Sequence, residues 1–217
     1  MANKDKIGNI NGFYLKGNAM KLRKRNKLVC GVGVNDADYN VYESVNGKHT
    51  WRCPFYETWK SMLNRCYSEK YKSKNPTYKG CSVCDEWLIF SNFKRWMETQ
   101  DWGDKQLDKD LLKEGNKIYS SEYCIFIDRK INMFVIDRGA SRGEYMIGVC
   151  WKKNRSKFQS HCSNPFTGKL KHLGYFNTEL EAHLAWKECK HEISCQLAES
   201  EYCKDPRLTE ALRTRYK

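Results

Sequence analysis

No apolar run in this 217-residue chain approaches the roughly 18–20 residues a membrane helix needs, and mean hydropathy is −0.80. The opening stretch, MANKDKIGNINGFYLKGNAMKLRKRNK, has no apolar h-region, so no signal peptide is expected. Acid is in short supply: 26 Asp and Glu face 39 Lys and Arg, a net charge of +13. Histidine is scarcer still, five in all, and only His49 precedes residue 138. Gly31–Val34 reads GVGV, but neither GK[ST] nor GxGxxG occurs, which excludes the usual phosphate-binding glycine loops. A soluble intracellular protein with a polyanionic partner is the first expectation.

Aromatic side chains are plentiful: 7 Trp, 13 Tyr and 9 Phe, within 40% apolar residues overall. That is enough to build folded cores despite the charge imbalance. The 11 cysteines are an odd number scattered along the chain, which does not read as a disulfide framework. Only Cys81 and Cys84 stand at C-x2-C spacing, half of a tetrahedral zinc site. Cys124 is the best placed completion, ahead of Cys53 and Cys66; the alternative is that all are reduced, buried thiols.

Along the chain, residues 1–27 form a polar arm ending in KLRKRNK, which is either a phosphate-binding arm or a solvated terminus. Residues 28–137 form the first module. There NVYESVNGKHTW alternates around Asn46-Gly47, a hairpin dipeptide. After Pro54, the spacing of Phe55, Trp59, Met62, Leu63 and Cys66 predicts a helix ending near Tyr67. A basic loop (YSEKYKSKNPTYKG) then leads to a second helix marked by Trp87, Phe90, Phe93, Trp96 and Met97. Leu107–Leu112 reads as a short strand or extended loop, Gly115-Asn116 as a turn, and Cys124–Ile127 as a buried strand. The polar segment DRGASRGEY marks a boundary, and residues 1–137 and 138–217 carry net charges of +7 and +6.

From Met146 the pattern becomes short strands: IGVCW, KFQSHC and LKHLGYF, separated by turn signals. Thr178-x-x-Glu181 is a capping box, opening a helix whose apolar stripe is Ala182, Ala185, Trp186, Cys189 and Ile193. A three-stranded antiparallel sheet on one helix buries one face and leaves the other in solvent. In the second strand, Phe158, Ser160 and Cys162 are expected inward, and Lys157, Gln159 and His161 outward. Residues 142–178 hold seven cations, among them Arg142 and Lys169, against the single acid Glu144, a balance suited to phosphate contact. The string GVCWKKNRSKFQSHC…KLKHLGYFNTELEAHLAWKE resembles the APETALA/ethylene-response-factor type of DNA-binding domain. This resemblance covers about 55 residues, within a module at 145–200 that leaves 201–217 as a tail. It implies a sheet laid in the major groove, with Lys152, Arg155, Lys157, Gln159, His161 and His172 reading bases and phosphates. Plant members carry Arg and Trp where Cys150, Leu170 and His172 stand here, so their target sequence does not carry over.

The first module also has a family likeness. WKSMLNRCY…NPTYKGCSVCDEWLIFSNFKRWM…LDKDLLKEGNKIYSSEYCIFIDRKIN resembles phage and prophage proteins regarded as HNH-like or homing-endonuclease-like. That implies phosphodiester hydrolysis, which needs a divalent metal to stabilise charge and a base to activate water. HNH enzymes usually supply a histidine base, and here Leu107-Asp108-Lys109-Asp110 stands where an Asp-His pair is expected. On an extended strand Asp108 and Asp110 share a face and suit Mg2+; otherwise they are solvated or lysine-paired charges. Asn116 and Asn132 best match the family's Asn positions.

Together these readings describe an α+β protein of two small domains, an HNH-like one followed by a three-stranded sheet on a helix. The expected function is that of a sequence-preferring, double-stranded DNA-binding protein of phage or mobile-element type in the bacterial cytoplasm. Its first module is a Mg2+-dependent homing-type endonuclease or, having lost its base, part of a non-catalytic DNA-binding regulator.

Overall fold

The computed structural model describes residues 28–136 and 143–217. The basic arm at 1–27 and Arg142 lie outside the described residues. The chain is mixed, with helices and several small sheets in an α+β arrangement. Among the described residues no helix is long and apolar enough to cross a membrane.

A hairpin comes first, β1 (Tyr42–Val45) and β2 (Lys48–Arg52), turning at Asn46-Gly47. Pro54 then starts α1 (Pro54–Tyr67), where its missing N–H costs nothing. The buried stripe is Tyr56, Trp59, Met62, Leu63 and Cys66. Phe55, expected in that stripe, is only half-buried and packs edge-on against Trp102. The basic loop contains a further short helix, α2 (Glu69–Lys74), whose N-terminus is capped by the Ser68 hydroxyl.

Strand β3 (Ser82–Val83) leads through a tight turn into α3 (Phe90–Glu98). Trp87 lies in that turn, before the helix, and its carbonyl accepts the Trp59 indole N–H at 2.6 Å. Trp59, Trp87, Phe90 and Phe93 are fully buried and hold α1 against α3. Next come β4 (Gln106–Asp108), β5 (Ile118–Tyr119), β6 (Ile125–Ile127) and α4 (Arg129–Val135). Strand β3 pairs parallel with β5, and β4 pairs antiparallel with β6. Of the short strand or extended loop expected over Leu107–Leu112, the strand stops at Asp108, beyond which the chain bends.

The last part contains β7 (Val149–Lys152), β8 (Lys157–Ser163) and β9 (Leu170–Phe176), an antiparallel meander, followed by α5 (Glu179–Ala198). The capping box at Thr178 and Glu181 forms in full. Ser160 and Cys162 are buried beneath α5, as their alternation predicts, while Phe158, expected with them, is only half-buried, edge-on to Trp151 and Tyr145. The segment expected to be a tail instead folds into α6 (Pro206–Thr214). Asp205 caps it by accepting the Arg207 N–H at 2.8 Å, and Leu208 and Leu212 pack into the core beneath α5. Ser194 Oγ on α5 donates to the Leu212 carbonyl at 2.7 Å.

The core under α5 also draws on the first module: Ile125, Ile127, Ile131 and Phe134 join Trp186, Ile193 and Leu212 in one cluster. Lys190 of α5 reaches across it, donating to the Phe134 carbonyl near the end of α4 with its ammonium 3.4 Å from the Phe134 ring centroid. A cation suits a helix C-terminus, but this one is nearly out of water. Burial, with Arg215 adding, pushes its pKa down from 10.5 to about 8. The folded state therefore disfavours the charged form, and that cost is fully present below about pH 8. The Lys190 cost should be relieved as the pH climbs from about 8 to 10.5, a contribution of about 3 kcal/mol at most. The buried thiols of Cys66, Cys124 and Cys162, all pushed up by burial, pull stability the other way in that window, so the readout is a difference: Lys190→Met should lose stability more steeply than the wild type from pH 8 to 10.5 in thermal melts. Parallel profiles would show that Lys190 carries no such cost.

Candidate functional site

Two places gather the residues singled out in the sequence: the outer face of the β7–β9 sheet, and a cleft between α1, the β4 end and α4.

On the sheet, the register places Cys150, Gln159 and Tyr175 in one row across three strands. Cys150 Sγ donates to Gln159 Oε1 at 3.6 Å, which turns the amide nitrogen toward His172 Nδ1 at 3.2 Å. Nδ1 thus accepts, so the ring proton sits on Nε2, as a donor for an incoming partner. Arg155, in the turn between β7 and β8, lies 4.5 Å from the Tyr175 ring centroid, and His172 packs edge-on to the same ring at 4.9 Å. Tyr175 was not among the residues singled out. Strict alternation puts positions 172 and 175 on opposite faces. An irregularity in the β8–β9 pairing pairs His172 with His161 and Gly174 with Ser160, so Leu173 is the extra residue and Tyr175 returns to the outer face.

Lys152 stands directly opposite Lys157 across the strands. Like charges so placed destabilise a sheet unless an anion meets them. Lys157 is partly occupied, donating to Asn177 Oδ1 at 2.6 Å, while Lys169 is exposed in the loop before β9. His161 is half-buried at the sheet end, its backbone N–H bonded to the Gly148 carbonyl at 3.1 Å. Burial first, then the charge of Lys152 and the neighbouring His172, holds its imidazole below the ordinary histidine range, so it is neutral at physiological pH.

Asp108, Asp110 and Asn132 all line the second place, a cleft of about 670 Å³. They reach it differently from the expectation of one shared strand face. Asp108 ends β4 and folds its carboxylate back, Oδ1 accepting the N–H groups of Asp110 at 3.0 Å and Leu111 at 2.7 Å. Asp110 is exposed and paired through Oδ2 with the buried Lys109 at 2.9 Å. Burial, then the neighbouring charge of Asp110, raises the Asp108 pKa above the usual carboxylate range. Asn132, on α4, donates from Nδ2 to Gln106 Oε1.

Asn116 is not in the cleft. It is buried, donating to the carbonyls of Lys109 at 2.6 Å and Ile118 at 2.7 Å, and it braces the loop that carries Asp108 and Asp110. His49 lies on β2 beside Ser44 Oγ at 2.8 Å and does not line the cleft either.

No family model, curated protein or solved structure matches this chain. The donor chemistry of each place therefore carries the functional argument. Cys81 and Cys124 are buried and Cys84 half-buried. Among the described residues no three His, Cys, Asp or Glu side chains gather as a metal-binding group. Magnesium makes a smaller demand, often one or two carboxylates with water and substrate phosphates completing the shell. Among the described residues Asp108 Oδ2 and Asp110 Oδ1 are left out of the hydrogen bonds that occupy their partner oxygens, so these are the two oxygens such an ion would use.

The cleft has further contributors on α1 that no motif in the sequence marks. Thr58, Ser61 and Arg65 sit at i, i+3 and i+7 on α1, a polar stripe beside the apolar one, and all three line it.

Proposed function

We propose that this chain is a sequence-preferring, double-stranded DNA-binding protein of phage or mobile-element type, acting in the bacterial cytoplasm, with the outer face of β7–β9 as its reading surface. One observation carries this reading: Lys152, Arg155, Gln159, His172 and Tyr175 share that face, and no carboxylate forms an ion pair with Lys152 or Arg155 among the described residues. A β-sheet laid face-down in the major groove can present such side chains to bases and phosphates together. In this reading Lys152 and Arg155 neutralise phosphates, and Gln159 and His172 supply the donors and acceptors that discriminate bases.

Mobility shifts over a salt series test it. Affinity should fall steeply between low and physiological salt. The Lys152→Ala/Arg155→Ala pair should weaken binding to all sequences and flatten the log–log salt slope by about 2, roughly one per lost phosphate contact. Gln159→Ala should instead relax sequence preference, by about 1–3 kcal/mol at its base pair. An unchanged slope in the double variant would move the interface elsewhere.

A second reading, a Mg2+-dependent endonuclease, is favoured by the convergence of Asp108, Asp110 and Asn132 on one cleft. Asp108 and Asp110 would hold the ion, which when bound neutralises charge on a phosphodiester and makes its water more acidic. Lys109 and Asn116 fix the loop bearing both carboxylates, and Asn132 keeps its side-chain carbonyl free for a polar partner. No imidazole lines the cleft to take the proton. Nicking of duplex DNA with Mg2+ or Mn2+ supports this reading; its absence at every protein concentration leaves the non-catalytic regulator.

A further inference from the structure

Arg65 ends α1 with a half-buried guanidinium. Its Nη1 makes one long hydrogen bond, 3.5 Å to the Tyr119 hydroxyl. Its Nε is buried and has no partner. The Tyr78 ring lies 5.8 Å from the guanidinium carbon, and no carboxylate comes within ion-pairing distance among the described residues.

The other cations of the cleft are committed. Lys109 holds Asp110 and the Asn116 carbonyl, and Lys105 holds Asp101 at 2.6 Å. Arg65 is therefore the cleft cation without an anion of its own, among the described residues. Taking a guanidinium out of water is costly unless its donors are matched. The tyrosines around it stay neutral, since burial raises the pKa of both Tyr78 and Tyr119. What is missing is an anion with two or more acceptor oxygens, presented in the plane of the fork. Phosphate supplies that geometry and guanidinium is its best partner.

We propose that Arg65 is a substrate-binding residue that anchors a non-bridging phosphodiester oxygen of a nucleic-acid strand lying in the cleft. The proposal rests on the reading of the cleft as a place for a nucleic-acid backbone, but not on cleavage there. It gives the two walls different parts: on α1, Arg65 holds the phosphate, while Glu57 of the same helix is paired with Arg52 at 3.3 Å, and the end of β4 contributes Asp108 and Asp110 to the cleft.

The test uses the full chain, without metal. The Arg65 Nε–H signal, assigned by its loss in Arg65→Lys, is followed by NMR while the dinucleoside monophosphate dTpdT is added, and inorganic phosphate is added in a parallel series. The expected result is a saturable shift of that signal with dTpdT, at lower concentration than with phosphate. In titration calorimetry Arg65→Gln should weaken binding of a single-stranded hexanucleotide by about tenfold or more, and Arg65→Lys by less, because it keeps charge but loses the fork. The Lys152→Ala/Arg155→Ala pair serves as background, so that contacts on the sheet do not mask the cleft.

An Nε–H signal that stays still while dTpdT binds overturns the proposal, and so does wild-type hexanucleotide affinity in Arg65→Gln. Equal or tighter binding of inorganic phosphate makes this a free-phosphate site and overturns the backbone assignment. Should Arg65→Gln fail to fold, the wild-type NMR series decides alone. Absence of nicking with an intact dTpdT response removes the endonuclease reading and leaves Arg65 as proposed. Nicking with no Arg65 response does the reverse.

Discussion

Asp108→Asn should abolish Mg2+-dependent nicking, by about a thousandfold or more, while duplex binding and the melting temperature stay at wild-type values. The substitution is chosen for what it keeps. Asn retains Oδ1, and with it the acceptor for the N–H groups of Asp110 and Leu111 that shapes the end of β4. What it loses is the charge and the free anionic oxygen facing the cleft. Removing that charge also relieves a carboxylate that burial and Asp110 already disfavour, so no loss of stability is expected. Activity and folding are thereby separated.

Asp110→Asn cannot separate them as cleanly. Its carboxylate is the counter-charge for Lys109, whose ammonium is buried and, among the described residues, otherwise bonded only to the Asn116 carbonyl. Removing a charged partner from a buried group typically costs about 1–3 kcal/mol, so lost nicking there mixes chemistry with loop distortion. An Asp108→Asn protein that nicks at the wild-type rate would place any hydrolytic centre outside this cleft. If the wild type does not nick either, the carboxylates are structural and the chain is a binder.

How much of this was legible in the sequence depends on the distance over which each feature is made. The helix of residues 179–198 was readable because its capping box and its apolar stripe are local. So was the inward set Ser160 and Cys162, because alternation holds through most of β8. Tyr175 was hidden because one irregular pairing at Leu173 reverses the alternation beyond it, and nothing in LKHLGYF announces that slip. For the paired aspartates the sequence leaves two readings, a shared strand face or a lysine-paired charge; the strand ends at Asp108, the next turn is stabilised by that residue's own carboxylate, and Asp110 pairs with Lys109. Their meeting with Asn132 and Arg65 is tertiary: the cleft joins α1, the β4 end and α4, and no spacing encodes it. The helix at Pro206–Thr214 had a signal, Asp205 before Pro206, but only two strongly apolar residues buried beneath α5.

The core that anchors the sheet can be tested at one atom. Gly148, just before β7, has a φ of +83°, and a Cβ built there meets the Trp186 ring at 2.1 Å. Trp186 has little room to retreat. It is buried, stacked on His183 with centroids 5.4 Å apart, and packed edge-on to Tyr216 at 6.1 Å. His183 is itself held, its Nδ1–H donating to the Ile147 carbonyl at 2.9 Å. Alanine at 148 therefore carries two penalties. The left-handed backbone costs about 1 kcal/mol for a residue with a Cβ, and forcing a ring aside in a packed core typically costs about 1–3 kcal/mol more. The sum, about 2–4 kcal/mol, should lower the melting temperature by roughly 5–15 °C for a chain of this size.

Gly168→Ala supplies the control. Gly168 has a φ of +69° but nothing within 4 Å of the added Cβ, so it pays only the backbone penalty. The difference between the two melting temperatures then reports the packing of β7 on Trp186. Because the Gly148 carbonyl also accepts the His161 N–H, a displaced Trp186 would disturb the start of the β7–β8 pairing on which Lys152 and Gln159 are carried. Gly148→Ala should consequently weaken duplex DNA binding as well as stability, whereas Gly168→Ala should leave binding within about twofold. Equal melting temperatures in the two variants would mean that Trp186 yields freely and that the sheet is held to α5 by other contacts.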